Sequence, residues 1–312
     1  MNNYQRGLLA TGTFILILGT VPAVTRLAVT TSLTVWDLWL LRCVVGGLIF
    51  APLLIKRLMT NRIPRAMLLT GFVLAACQGW GAHLSSIGGM QFAPASHTSA
   101  LGPGVISLWV AMWAFLLYRQ RPTRSEAQSF PILVAGAILM LLNAGFVLSN
   151  PKMLLGDALY LLSSCTSAIY LVYLKKHRLD PLTGAALIAV FSGLVAGALF
   201  LALPLPTRLG QAAIGEVLLH VLVQGVIAGA FIYWLIGYAI ERVGAQQFTI
   251  IGTLIPVMSI ITGRHIAGDP YNVLDGLAIL CIAVGILVGI RQSTPPTQSA
   301  SPCSSSGSTP TP

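Results

Sequence analysis

Ten apolar runs, each long enough to cross a lipid bilayer, leave this sequence few ways to fold. Bounded by charges, Pro and Gly clusters, they cover roughly residues 7–29, 36–55, 66–88, 94–118, 127–148, 155–175, 181–203, 217–240, 244–266 and 271–290. A spanning helix takes about 20 mostly apolar residues. Lipid offers the backbone no hydrogen-bond partner, so each run is expected to be a helix. The composition agrees: 8% of residues are charged, against about 25% in an ordinary soluble domain. Connectors are short, so consecutive helices should run antiparallel. The expected fold is an all-α membrane protein with ten transmembrane helices.

The net charge of +10 comes from 18 Lys and Arg against 8 Asp and Glu. No basic cluster interleaved with aromatics lies on a polar segment, which argues against nucleic acid as a partner. In a membrane protein such an excess sets topology, because cytoplasmic loops collect Lys and Arg. With the amino terminus inside, the inner segments hold Arg6; Lys56, Arg57, Arg62 and Arg65; Arg119, Arg121 and Arg124; Lys175, Lys176 and Arg178; Arg242; and Arg291. The outer loops hold only Lys152 and Arg208, while Arg26, Arg42 and Arg264 lie within spans. The expectation is a multi-pass protein of the cell membrane with both termini cytoplasmic. The first run is long and lacks a small-residue cleavage site, so it reads as an uncleaved span rather than a signal peptide. Residues 292–312 are rich in Ser, Thr and Pro and are expected to be a disordered tail. Cys43, Cys77, Cys165 and Cys281 sit in apolar runs as small hydrophobes, and no metal-ligand spacing appears.

The two halves, 1–148 and 149–291, resemble each other at an offset near 150 residues. Met90 to Ala95 corresponds to Ile240 to Ala245, and Arg26 to Lys175. Five spans per half means that the copies enter the membrane in opposite directions, an inverted repeat of the kind used for alternating access.

Gly156-Asp157-Ala158-Leu159 opens the sixth span. Later, Val243-Gly244-Ala245 leads to Pro256, Gly268-Asp269-Pro270, Gly276 and Gly285, and Arg42 lies in the second span. In these residues the chain resembles the EamA-type transporters of the drug/metabolite transporter superfamily. The first half departs from the pattern: Arg119-Gln120-Arg121 stands where the Gly-acid turn should be, and Pro103 lies about one turn early. The resemblance implies two five-helix repeats, with spans one to four and six to nine around a central cavity and spans five and ten peripheral. It also implies export of amino acids, other metabolites or drugs.

Polar side chains in hydrocarbon are costly and are therefore site candidates. Arg42 stands ~10 Å from the outer end of its span at 1.5 Å per residue, either lining a cavity, snorkelling, or paired with Asp37 or Asp157. Arg26, nearer the interface, reads as a snorkelling side chain. Gln78, Trp80 and His83 form the densest polar cluster, and the repeat offset pairs His83 with Tyr233 and its neighbour Trp234. His97 and Gln246 open the fourth and ninth spans, and Gln224 is a weaker candidate. Facing polar aromatics would suit an uncharged or zwitterionic substrate. The Gly-x-x-x-Gly pairs at Gly193, Gly225 and Gly285 read as packing devices. All eight carboxylates lie near helix ends, which disfavours a proton pump built on a mid-span carboxylate.

No P-loop, G-x-S-x-G or H-E-x-x-H motif occurs, so neither ATP hydrolysis nor an intramembrane hydrolase is supported, and no cofactor or catalytic residue is expected. The expected activity is transport of a small molecule across the bilayer by alternating access, by a monomer or homodimer. The rivals are a non-transporting scaffold or receptor and a lipid-modifying enzyme. Reporter fusions in the 119–123 connector should report the cytoplasm and fusions in the 203–213 connector the outside; the same side for both would break the threading.

Overall fold

The computed structural model describes residues 2–60, 67–142, 150–177, 180–270 and 272–290, apart from the side chains of His177, Ala245 and Gln246. The expected tail at 292–312 lies outside the described residues. Ten helices are long and apolar enough to cross a membrane: α1 (Asn3–Thr31), α2 (Val35–Met59), α3 (Met67–Gly89), α4 (Ala95–Tyr118), α5 (Arg124–Leu142), α6 (Pro151–Lys176), α7 (Pro181–Ala202), α8 (Ile214–Val243), α9 (Gln247–Ala267) and α10 (Val273–Ile290). Caps mark several ends. Asn2 and Gln5 form a reciprocal capping box at α1, and Thr34 and Asp37 do so at α2. Asp180 caps α7 ahead of Pro181. Each side chain satisfies a backbone N–H that the first turn leaves without a partner. The end at which α1 begins is called the near face below, and the opposite end the far face.

The packing carries the repeat. Helix α1 lies against α8 and α9, and α6 against α3 and α4. Helix α2 packs on α8, as α7 packs on α3. Three pairings are formed between equivalent helices, α2 with α7, α4 with α9 and α5 with α10. Exchanging the halves therefore returns the same contact pattern, as a two-fold relation between inverted copies requires.

The halves also break at matching places. Helices α3 and α8 each contain a stretch of widened π-type turns, Ala75–Ala82 and Val221–Phe231. Helix α4 widens at Ala100–Gly104 around Pro103, and α9 is interrupted at Thr253–Leu254 just before Pro256. Displacement of Pro103 has thus not cost the first half its break. The turn after α4 is preserved as well. Arg119 ends that helix at φ 55°, and Gly268 ends α9 at φ 66°. Glycine takes this left-handed conformation freely, whereas an L side chain there is disfavoured by roughly 1–2 kcal/mol.

Small residues let the central pair approach. A Cβ on Gly193 would stand 2.7 Å from the Cys43 carbonyl oxygen, and one on Gly47 2.8 Å from the Ala189 oxygen. Gly229 faces Gly46, and Gly285 is covered by Leu133. The Gly-x-x-x-Gly residues are packing devices inside the bundle. Gly193→Ala should therefore cost about 1–3 kcal/mol of overpacking strain, read as a lower melting temperature in detergent. Gly12→Ala, whose added methyl meets no atom within 4 Å, serves as the control and should leave the melting temperature unchanged.

Candidate functional site

The widened turns of α3 expose a carbonyl that an ordinary α-helix would bond internally. Trp39 Nε1 donates to the Gly79 carbonyl at 2.8 Å, and Cys43 Sγ stands 4.0 Å from the same oxygen. These contacts fix the face of α2 that carries Arg42, one turn beyond Trp39. Arg42 Nη2 donates to Gln224 Oε1 on α8 at 2.5 Å, and Gln224 Nε2 donates to Thr25 Oγ1 on α1 at 2.5 Å. Thr25 in turn donates to the Val21 carbonyl. One guanidinium edge is thus held by a relay through three helices drawn from both halves.

Around it stand other sequence candidates. The Gln78 amide lies 3.5 Å from His83 Nε2. Arg42 is near enough for its charge to be felt at the His83 ring and the Tyr233 phenol. Arg42, His83 and Tyr233 are enclosed by protein, yet each keeps some accessible surface. Together they form a partly accessible polar cluster where α1, α2, α3 and α8 meet. Arg42 Nε and Gln78 Oε1 are buried there without a hydrogen-bond partner. Phe50 meets the Tyr233 ring edge-on at 6.2 Å and supplies an apolar wall.

The remaining candidates lie elsewhere. Trp234 points outward, 50% exposed and stacked on Phe231 at 5.5 Å; adjacent residues on a helix diverge by about 100°, so Tyr233 and Trp234 cannot both face inward. Trp80 packs edge-on against Phe72 at 5.3 Å, away from Gln78. The Gln246 side chain is outside the described residues. His97 is fully buried rather than lining a space. Its Nδ1 lies 2.7 Å from Asp157 on α6, and its Nε2 3.2 Å from Asp275 on α10. These nitrogens point in different directions, so the three groups do not converge on a point that an ion could fill.

His97 belongs to a second structure, a seal across the far face. Arg26 pairs with Asp269 and donates through Nη1 to the Met90 and Ala93 carbonyls, both at 2.6 Å. The other Asp269 oxygen accepts from the Ala95 N–H at 2.8 Å. Tyr160 donates to the Ala93 carbonyl at 3.0 Å. Asp37 accepts from the Thr207 hydroxyl at 2.6 Å and from the Arg208 N–H at 3.0 Å, and Ser32 donates to Glu216. Most of these contacts join one repeat to the other. Arg26 is therefore an interior ion-pair partner rather than a snorkelling side chain. Asp37 and Asp157, offered by the sequence as partners for Arg42, are committed to this seal. Four carboxylates near helix ends (Asp37, Asp157, Asp269 and Asp275) are buried, because the connectors fold over them.

Among the described residues, the near face is joined more lightly. Arg57 pairs with Asp180, and the Tyr4 hydroxyl donates to Gln247 at 3.1 Å, both in exposed positions. Helices α4 and α9 touch where Ser99 meets Ser259. Toward the near face they part around a cavity of about 690 Å³, whose lining includes Phe14, Ser107, Glu126, Phe248, Pro256 and Ile290. None of the seven sequence candidates whose side chains are described lines it. Its walls include α5 and α10, the helices expected to be peripheral, because the breaks at Pro103 and Pro256 turn the near halves of α4 and α9 toward them.

The sequence undervalued Gln224 and missed Thr25. A lone amide in an apolar run carries little signal, and a threonine usually bonds its own helix, as Thr25 also does.

No curated protein matches the chain. A solved structure, titled only "Crystal structure of protein", is similar to it with a TM-score of 0.57 and 19% identity, covering 92% of this chain and 97% of that one; at that identity the likeness establishes the fold alone. A model of the EamA-like transporter family matches residues 5–142 and again residues 154–290. The two matches coincide with the two packed halves: this chain belongs to the EamA-like transporter family, as a multi-pass membrane protein made of two copies of the family's repeat.

Proposed function

We propose that the chain moves a small solute out of the cell by alternating access, with the Arg42 cluster as its binding site. The observation that carries this reading is the difference between the two ends of the bundle. Buried ionic contacts between the repeats close the far face, while exposed pairs and a cavity mark the near face. The family is a transporter family, and inverted repeats rocking about a shared site are its natural means of exposing that site to each side in turn. The near face carries the basic connectors, so the positive-inside rule makes it cytoplasmic. In the form described here the protein is closed to the outside, the state in which an exporter collects its load.

Opening the far face must separate Arg26 from Asp269 and His97 from its carboxylates. Breaking a buried pair by removing one member costs about 3–5 kcal/mol. A conformation in which water reaches the stranded charge escapes much of that cost, so the equilibrium should shift toward it. Arg26→Gln should therefore add a longer-distance population between spin labels placed at Gln91 and Gly210, on two far-face connectors, measured by pulsed electron resonance in a cysteine-free chain. An unchanged distance distribution would remove the far-face seal from the mechanism.

The transport reading itself is tested by counterflow into proteoliposomes, screened with amino acids, sugars, nucleosides and organic acids. Flux of one class, lost in Arg42→Ala while membrane insertion is unaffected, is the expected result. A function that survives crowding of the Arg42 cluster by His83→Trp would instead favour a scaffold.

A further inference from the structure

From the charge inventory of the Arg42 cluster, we infer that the solute it takes is an organic monoanion, a carboxylate with an otherwise uncharged body. The inference rests on the transport reading and narrows the chemistry of that site. Every side-chain carboxylate can be located, since the sequence has eight Asp and Glu and all lie among the described residues. Asp37, Asp157, Asp269 and Asp275 belong to the far-face seal. Glu216 accepts from Ser32, Asp180 caps α7 and pairs with Arg57, Glu126 caps α5 through Thr123, and Glu241 pairs with Arg242. None is left for Arg42.

Arg42 is consequently an enclosed guanidinium whose described partner is a neutral amide oxygen. Effective costs of several kcal/mol attach to an uncompensated ion in a protein interior. Gln224 holds one Nη2–H and leaves buried Nε without an acceptor. A carboxylate is the planar anion that a guanidinium fork accepts with paired hydrogen bonds. It would cancel the single positive charge, whereas a phosphate dianion would leave a negative excess in the same space. A zwitterion fits less well, because its ammonium would meet Arg42 with no carboxylate to receive it. A cation would meet repulsion alone. The phenol of Tyr233, the ring of Phe50 and the neutral polar groups of Gln78 and His83 can accommodate an apolar or weakly polar remainder.

Four matched probes separate these classes: 3-phenylpropionate, its primary amide, phenylalanine and phenethylamine. They are added at millimolar concentration to the full chain in detergent, and thermal unfolding is followed. The anion alone should raise the melting temperature, by about 2–4 °C. Arg42→Gln should abolish that response, and Arg42→Lys should keep part of it. A second variant needs no ligand. Gln224→Glu places a carboxylate of nearly the same shape beside Arg42, so it should raise the melting temperature of the unliganded chain and remove the response to the anion. Equal stabilisation by phenylalanine or by the amide, or any preference for phenethylamine, overturns the inference. So does a Gln224→Glu chain that melts no higher than the parent, whichever probes bind. Anion binding in a chain that moves no solute would support the site and sink the transport reading. Flux of a cation or a zwitterion without an anion response would do the reverse.

Discussion

Lipid cannot solvate a charge, and that single restriction accounts for most of the polar architecture of this protein. A charged side chain at the centre of a spanning helix costs at least about 2.5–3.5 kcal/mol, so each ionisable group must reach water, meet a partner or be kept for a ligand. The near-face pairs Arg57–Asp180 and Arg242–Glu241 stay at the water boundary. The far-face groups are drawn under the connectors and bond across the two repeats. Among the described residues Arg42 does neither, since its side chain meets a neutral amide and no carboxylate.

The backbone follows the repeat more faithfully than the chemistry does. Widened turns recur in α3 and α8, and breaks recur in α4 and α9, even where Arg119 must adopt a conformation suited to glycine. Yet α7, which pairs with α2 across the pseudo-symmetry, carries no ionisable residue between Pro181 and Ala202. In the proposed alternating-access cycle, two-fold geometry would supply the motion, which needs both halves to deform alike. The proposed Arg42 site would need only one cation, so its chemistry is free to be lopsided.

Much of the fold could be read in advance because its signals are periodic or cumulative. Apolar run length marks the spans, connector length makes neighbours antiparallel, and five spans per half oblige the copies to invert. The site was legible only in part. Arg42, His83 and Tyr233 announced themselves as polar groups in apolar runs, and the structure draws them together. Arg26 misled because its place near a helix end looks like snorkelling until the connector bearing Asp269 folds over it. His97, Asp157 and Asp275 are separated by 60 and 178 positions along the chain, and no local pattern brings them together. Trp234 shows the opposite failure: its polarity drew attention, while the direction of its side chain depends on a helix rotation that α8 sets through packing.

The far-face contacts also bear on how the protein could switch. Exposed ion pairs are worth about 0.2–1 kcal/mol each and can form or break separately. Contacts buried beneath shared connectors are coupled, since water that reaches one of them reaches its neighbours. Ala93 offers its carbonyl to both Arg26 and Tyr160, and Asp269 joins Arg26 to the start of α4, two residues before His97. Such a lattice tends to hold or fail as a unit, so the far face should exist in two states with few between them. A lightly fastened near face allows the opposite end to close around that change without a comparable barrier. In the proposed cycle, the asymmetry of the two ends, with four carboxylates buried at the far face, would favour the form closed to the far side.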